Sequence, residues 1–293
     1  NPPGVVGEHQ VYPQSNFSVN LQLLPSEKDL VLAASAPISA QSEGCYQYAA
    51  SGVRNFSLAI SPEYNLTSKT NALATVKIYT FPEHAEMGKR AADLALQAWE
   101  TFTDLYGPNP RVFMSMIEAD IDDGLETDGL FYLSDWYFKT ADETPQNYFE
   151  LLVVHETSHQ WLYGLVHNDQ ANEPWLDEAL ATYSELLFYE THHPELVQWW
   201  WDYRVNEYSP SGYVNATIYD FDNYREYVNA VYLMGARFVD TLRQSIGEND
   251  FQMFLYEYVQ SGSGEIFSSS DFFTILDEIS PNGINPIKSG FFR

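Results

Sequence analysis

Residues 153–164 read VVHETSHQWLYG, and this stretch decides how the whole chain is interpreted. His155 and His159 stand four positions apart, and Glu156 directly follows the first of them. Residues at i and i+4 lie on one face of a helix, so both imidazoles would point the same way from adjacent turns. The pattern H-E-x-x-H on a helix is typical of a zinc site with a glutamate as general base. Such a short pattern also arises by chance, so the surrounding sequence has to decide.

The motif lies within a predicted helix of about five turns. Thr144 is placed as its N-cap, Pro145 at its first helical position and Gly164 at its C-terminal stop. One stripe of this helix, at spacings of three and four, comprises Tyr148, Leu152, His155, His159 and Leu162. We expect the stripe to face the interior. Buried histidines need polar partners, and a shared metal at about 2.0–2.1 Å from each ring nitrogen would supply one.

A catalytic zinc site takes three protein ligands and keeps one position open, so a third ligand is expected. Glu178 follows His159 after 18 intervening residues, within NEPWLDEALATYSE at 172–185. Pro174 is placed to open a second helix there. Glu185 shares a face of that helix with Glu178, so it either supports the ligand or is a solvated or helix-pairing glutamate.

HETSHQW followed by WLDEALATY resembles the gluzincin aminopeptidases, the family of aminopeptidase N and leukotriene hydrolase. Their pattern is H-E-x-x-H, then 18 residues, then E within W-L-x-E-G-x-A; this chain has Ala179 where glycine is usual. The resemblance implies that His155, His159 and Glu178 bind zinc. It also implies that Glu156 takes the proton of the attacking water and returns it to the leaving amine.

Two further family signatures can be matched. The G-A-M-E-N strand, which binds the free amine of the substrate, corresponds best to DGLET at 123–127; the glutamate is kept, and the first glycine, the methionine and the asparagine are lost. This match implies that Glu126 and Gly124 contact the substrate. AVYLMGARFVDTLRQSIGENDF resembles the segment around the family's catalytic tyrosine, usually Y-E-K-G. Tyr232 is therefore expected to donate a hydrogen bond to the oxyanion.

The resemblance implies an α+β fold: a thermolysin-like zincin catalytic domain, with a small mixed sheet and a helical subdomain, preceded by remnant strands of an antiparallel β domain. We place the β remnant at 1–70 and the catalytic domain at 71–293. Four segments between 16 and 81 have strand patterns, namely NFSVNLQLL, DLVLAASA, NFSLAIS and ATVKIYTF. Helical spacing follows at 84–107, then RVFMSMIEADI and GLFYLSDWYF indicate two more strands, and nearly everything after 145 is helical.

The charge composition of the chain argues against several classes of binding partner. The 41 acidic and 14 basic residues give a formal net charge of −27, which opposes binding to nucleic acid and to anionic membranes. Between Arg111 and Arg204 the only basic residue is Lys139, so we expect a negative potential around the motif that attracts cations. No apolar run approaches the roughly 18 residues of a membrane-spanning helix, so no membrane insertion by this chain is expected.

The single cysteine, Cys45, excludes an internal disulfide framework. The chain begins with Asn1, and we expect it to be a piece of something longer. Four N-x-S/T sequons are present, starting at Asn16, Asn55, Asn65 and Asn215. An extracytoplasmic location, secreted or surface-attached, is expected, with the cytoplasm left open.

The sequence thus predicts a zinc metallopeptidase, an aminopeptidase that acts on peptides with a free N-terminus. A zinc endopeptidase or an epoxide hydrolase on the same scaffold is one alternative, and a non-catalytic zinc-binding module is another. The preferred side chain, the biological substrate and the oligomeric state stay open.

Overall fold

A computed structural model of the chain describes residues 6–281 and 285–293. Its strands are β1 (Ser15–Gln22), β2 (Val31–Ala34), β3 (Ile38–Ser42), β4 (Cys45–Val53), β5 (Leu58–Ser61), β6 (Asn65–Thr70), β7 (Thr75–Thr80), β8 (Phe113–Ala119), β9 (Gly124–Thr127), β10 (Leu130–Ser134), β11 (His167–Asn168) and β12 (Ile266–Phe267). Its α-helices are α1 (Ala85–Tyr106), α2 (Asp135–Thr140), α3 (Tyr148–Leu162), α4 (Trp175–His192), α5 (Val197–Trp200), α6 (Tyr224–Val228), α7 (Met234–Ile246), α8 (Glu248–Gly262), α9 (Ser269–Ile279) and α10 (Asn285–Phe291). Within these described ranges, no helix combines the length and hydrophobicity needed to cross a bilayer.

The described residues form two units. The sheet unit comprises Tyr12–Glu100 and Asn109–Gln160. The helical unit comprises the residues up to Val11, Thr101–Pro108 and Trp161–Arg293. The predicted boundary near residue 70 stays a prediction.

A five-stranded mixed sheet, in the order β6-β7-β8-β10-β9, is the centre of the sheet unit. β7, β8 and β10 are parallel neighbours, whereas β6 and β9 run antiparallel at the two edges. Parallel neighbours cannot be joined by a tight turn, and α1 supplies the connection between β7 and β8. A buried core cluster connects this sheet to the β2-β5 ribbon and consists of Ala33, Tyr79, Ile117 and Leu130. The edge strand β9 carries the residues predicted to contact the substrate.

A second sheet in this unit has the order β1-β4-β3 and is antiparallel. β3 is exposed along its whole length, and β1 alternates between exposed and half-buried residues. No Asp, Glu, Lys or Arg occurs in the three strands. Charged side chains commonly protect edge strands, so this small sheet presents an uncharged surface in a strongly acidic chain.

The core of the helical unit surrounds Trp175, the first residue of α4. Its ring lies 4.9–6.1 Å, centroid to centroid, from four phenylalanine rings, those of Phe238, Phe272, Phe273 and Phe292. The indole Nε1 donates a hydrogen bond to Ser269 Oγ at 3.2 Å. Buried aromatic rings contribute large apolar areas, so this cluster fixes the start of α4, three residues before Glu178.

Most of the predicted elements are confirmed. The helix predicted at 84–107 is α1, and the four strand patterns before it contain β2, β5, β7 and all of β1 except its first residue. The helix carrying the motif and the helix opened by Pro174 are α3 and α4. These two helices place the predicted metal ligands.

Two predictions about local structure are wrong. GLFYLSDWYF is not one strand, because β10 ends at Ser134, whose Oγ accepts a hydrogen bond from the Trp136 N–H at 3.3 Å and caps α2. The motif helix also begins three residues later than predicted. Asn147 Oδ1 accepts from the Glu150 N–H at 3.0 Å and so caps the helix, whereas Thr144 Oγ1 accepts from the Gln146 N–H at 3.3 Å in the preceding turn.

Candidate metal and peptide site

The two histidines of the motif converge within the sheet unit. The Nε2 atoms of His155 and His159 lie 3.1 Å apart on adjacent turns of α3. Two nitrogens bound to one tetrahedral zinc at 2.0–2.1 Å would be about 3.3 Å apart, so this pair fits a shared metal. Both side chains are buried, and so is every residue from Phe149 to Leu162. The helix is therefore buried on all sides, not only along the predicted stripe.

Two carboxylates lie beside this pair. Ligand atoms of Glu126, Glu156 and His159 are all within 4.8 Å of one another. Glu126 is 3% exposed and Glu156 is 4% exposed. Two buried carboxylates so close together repel each other unless a cation lies between or beside them. The sheet unit thus brings together four predicted site residues in a place suited to positive charge.

Gly124 has a specific spatial role next to Glu156. A Cβ atom added at residue 124 would lie 2.0 Å from Glu156 Oε1, which is far inside van der Waals contact. The missing side chain at this position of β9 therefore leaves the space that the Glu156 carboxylate occupies. The predicted contact of Gly124 with substrate stays a prediction.

Glu178 and Tyr232 lie together in the helical unit. Glu178 is buried one turn inside α4, and the Tyr232 hydroxyl forms a hydrogen bond with its carboxylate. Burial, and next the charge of Glu178, raise the pKa of Tyr232 well above its usual value, so the phenol keeps its proton and can donate it in a hydrogen bond. Thr182 Oγ1 donates to the Glu178 main-chain oxygen at 2.7 Å.

Tyr227 is a second tyrosine of this cluster. Its ring lies 5.5 Å from that of Tyr232 at an interplanar angle of 79°, and it is 1% exposed. Tyr232 is only partly buried. Of the two, Tyr232 is the tyrosine placed to reach a ligand at Glu178.

Gly235 explains how the fold accommodates Ala179, which stands where the family usually has glycine. A Cβ atom at residue 235 would lie 2.4 Å from the Ala179 Cβ, so α7 approaches α4 closely only because residue 235 is glycine. The methyl group that this chain carries beside Glu178 is accommodated by that glycine. Gly235 could be identified from the sequence, because it belongs to the matched Tyr-Leu-Met-Gly segment, three residues after Tyr232.

Glu185 is a helix-pairing glutamate, and the solvated alternative is wrong. It is fully buried on α4 and forms an ion pair with Arg204, with Oε2 accepting from Arg204 Nε and Oε1 from Arg204 Nη2, each at 2.8 Å. Trp200 Nε1 also donates to Glu185 Oε2 at 3.1 Å. This cluster connects α4, two turns beyond Glu178, with the end of α5 and the segment that follows it. Sequence spacing gave no signal for Arg204, because it comes from a separate segment.

Comparison with known proteins gives a sequence match over more than half of the chain: a profile of the Peptidase family M1 domain matches residues 126–291. Aminopeptidase M1-D of Oryza sativa subsp. japonica is 24% identical over 221 residues, which cover 70% of this chain and 25% of that protein. Endoplasmic reticulum aminopeptidase 1 of Mus musculus is 24% identical over 250 residues, which cover 79% of this chain and 27% of that protein. The chain thus spans about a quarter of the length of these relatives.

Solved structures match the fold. An M1 zinc metallopeptidase from Deinococcus radiodurans matches with a TM-score of 0.67 at 20% identity, covering 94% of this chain and 63% of that chain. A mutant two-domain M1 zinc metallopeptidase bound to L-arginine matches with a TM-score of 0.70 at 19% identity, covering 96% of this chain and 64% of that chain. These matches confirm the predicted α+β fold class.

Proposed function

The chain belongs to peptidase family M1, and on this premise we propose that it is a zinc-dependent aminopeptidase that removes N-terminal residues from peptides. The observation that carries the proposal is the buried group in the sheet unit. There, convergent imidazole nitrogens on α3 lie beside the carboxylates of Glu126 and Glu156. The two imidazole nitrogens can bind a metal ion, and the two carboxylates can attract the ammonium group of a substrate.

His155, His159 and Glu178 are the proposed zinc ligands. Two imidazoles and one carboxylate form a common ligand set of catalytic zinc, with one position left open. Zinc bound there would act as a Lewis acid and would lower the pKa of its water towards 7. Within the helical unit, the Tyr232 hydroxyl forms a hydrogen bond with the carboxylate of this third ligand.

Glu156 is the proposed general base. Its position directly after His155 puts the carboxylate beside the ligand face of α3, and the space over Gly124 accommodates its Oε1. From there it can take a proton from the attacking water and give it to the leaving amine. Tyr232, as a neutral phenol, would donate a hydrogen bond to the oxyanion that forms on the carbonyl.

Glu126 is the proposed partner of the substrate's free amine. A charge-assisted hydrogen bond between a carboxylate and an ammonium contributes roughly 1.5–3 kcal/mol. β9 is an edge strand of the five-stranded sheet, so its outer backbone groups can pair with an extended peptide. Peptides with a free N-terminus are thus the proposed substrates.

A comparison of free and N-acetylated substrates tests the proposal. We expect aminoacyl coumarylamides to be cleaved at least about 10-fold better than their N-acetyl forms, the factor that 1.4 kcal/mol provides. Glu126→Ala should remove the preference, and Glu126→Gln should remove most of it because the amide carries no charge. A zinc chelator should abolish turnover, and Glu156→Gln, which should keep its zinc, serves as the inactive control.

Equal rates on both substrate forms, with Glu126→Ala silent, would contradict the aminopeptidase proposal and favour the endopeptidase. Zinc binding without any peptide turnover would favour the non-catalytic module, or the epoxide hydrolase if an epoxide is opened.

A further inference from the structure

Gln160, the residue directly after His159, connects the motif helix to the hairpin turn between β9 and β10. Its Oε1 accepts a hydrogen bond from the Gly129 N–H at 2.8 Å, and its Nε2 donates to the Thr127 main-chain oxygen at 3.2 Å. We propose that Gln160 is a positioning residue that sets the distance between Glu126 and the histidines of α3, and thereby the preference for a free substrate amine. This inference rests on the aminopeptidase function proposed above.

Gln160 is itself held in place. Its side chain is buried, with 2% of the residue exposed. Its main-chain oxygen lies in the last turn of α3, where helix carbonyls commonly lack a partner within the helix, and it accepts from Asn109 Nδ2 at 2.8 Å. The side-chain amide of Gln160 thus has a fixed position, next to His159 in the sequence, from which it binds the turn.

The other side of the turn is anchored as well. The buried Asp128 carboxylate accepts from the Arg54 main-chain N–H at 2.8 Å and forms an ion pair with Arg111. The Asp128 N–H donates to Asn55 Oδ1 at 3.0 Å. Gly129 has φ +76°, and a Cβ there would lie 2.2 Å from the Ser35 oxygen. These contacts fix the position of the turn within the sheet unit, and the two hydrogen bonds of Gln160 connect the turn to the motif helix.

The position of the turn determines the position of Glu126. Glu126 directly precedes Thr127, and it pairs with Phe131 in the β9-β10 ladder. A ligand atom of Glu126 lies within 4.8 Å of one of His159. A substrate with its amine at Glu126 and its first carbonyl near the histidines has to span this gap with a single residue. Misplacement of the substrate by about 1 Å can lower the rate on the order of 100-fold. The hydrogen bonds of Gln160, which fix the distance between Glu126 and His159, should therefore affect the rate.

Gln160→Leu tests the proposal, because leucine is of similar size and has neither donor nor acceptor. Gln160→Glu is the conservative variant, since it keeps an acceptor for the Gly129 N–H but loses the donor to Thr127. Ser158→Ala is the matched control. Ser158 is equally buried on α3, but its Oγ donates to the His155 main-chain oxygen at 2.7 Å within the same helix.

Rates on free and N-acetylated coumarylamides, zinc content and deuterium exchange at the Gly129 amide are measured for all variants. In Gln160→Leu we expect the ratio of kcat/KM for free over acetylated substrate to fall at least about 10-fold, the factor of one well-placed polar contact. KM for the free amine should rise with zinc still bound, and Gly129 should exchange faster. Gln160→Glu should keep the slow exchange and lose part of the ratio, whereas Ser158→Ala should change neither.

An unchanged ratio in Gln160→Leu, or an equal loss on both substrate forms, overturns the proposal. If Gln160→Leu does not fold, the same two outcomes in Gln160→Glu decide. A wild-type enzyme that does not prefer the free amine contradicts the aminopeptidase function instead, and with it the inference. Slow exchange at Gly129 in Gln160→Leu would show that Gln160 does not hold the turn, whatever the activity.

Discussion

Tyr227 and Tyr232 lie one turn and a half apart, yet only one of them forms a hydrogen bond with Glu178. Tyr227 lies deeper and presents its ring edge-on to that of Tyr232. The pair therefore offers a matched comparison, since both are tyrosines of one cluster and both keep their protons at neutral pH because burial raises their pKa.

We expect Tyr232→Phe to lower kcat by about 100-fold or more, the loss typical of one oxyanion donor, with zinc still bound. Tyr227→Phe should change kcat by much less, because Glu178 acts on the Tyr227 hydroxyl through its charge and not through a hydrogen bond. Steady-state kinetics with metal analysis on both variants provide the measurement. A larger effect at Tyr227 would show that the catalytic tyrosine is five residues earlier than assigned.

The site residues differ in how far sequence alone could predict them. The sequence is most informative about four residues, which a local motif and a fixed interval identify: His155, Glu156, His159 and Glu178. The roles of Gly124 and Gln160 are not predictable in this way. Each depends on which atom of a different segment lies opposite, such as Glu156 Oε1 over Gly124, and only the folded chain determines that.

Among the elements, α4 is bound to the segment after α5 by a buried charge pair. Glu185 accepts hydrogen bonds from Arg204 Nε and Nη2 and one from Trp200 Nε1. Such a pair adds little compared with apolar side chains of the same size, but removal of one partner leaves a buried charge alone.

We therefore expect Arg204→Met to lower the free energy of unfolding by about 3–5 kcal/mol. The double variant Glu185→Gln/Arg204→Met should recover more than half of that loss, since the amide still accepts from Trp200 without carrying a charge. Glu190→Gln is the control, because the Glu190–Arg243 pair is partly exposed and should contribute less than about 1 kcal/mol. Denaturant unfolding followed by tryptophan fluorescence measures all three, and equal effects at both pairs would contradict this account.

The elements themselves were predicted unevenly. α1 was found within one residue at each end because its apolar spacing is regular and Gly107-Pro108 ends it. The sequence patterns do not predict β3, β4 or β6, since ISAQS, CYQYAASGV and NLTSKT show no clear alternation of apolar and polar residues. The start of α3 was misplaced because Thr144-Pro145 and Asn147 are both plausible beginnings, and side-chain hydrogen bonding selects the second.

At the scale of the whole molecule, the net charge of −27 should affect binding of charged substrates. A negative protein raises the local concentration of cations, and salt screens this effect as the Debye length falls from about 30 Å at 0.01 M to about 8 Å at 0.15 M. We expect KM for arginyl-arginyl substrates to rise several-fold over that range, and KM for glutamyl substrates to fall. Parallel salt titrations provide the measurement, and the same response for both substrates would contradict the role of net charge.

The uncharged sheet β1-β4-β3 has a consequence for handling the protein in solution. The sequence pI is about 4.3, so acidification towards that value removes the mutual repulsion that keeps copies of the chain apart. The exposed strand β3 then has neither charge on its own residues nor a surrounding field to prevent another strand from pairing with it. Precipitation in mildly acidic buffers would begin at this sheet, and a lysine placed in β3 is the substitution that should improve colloidal stability there.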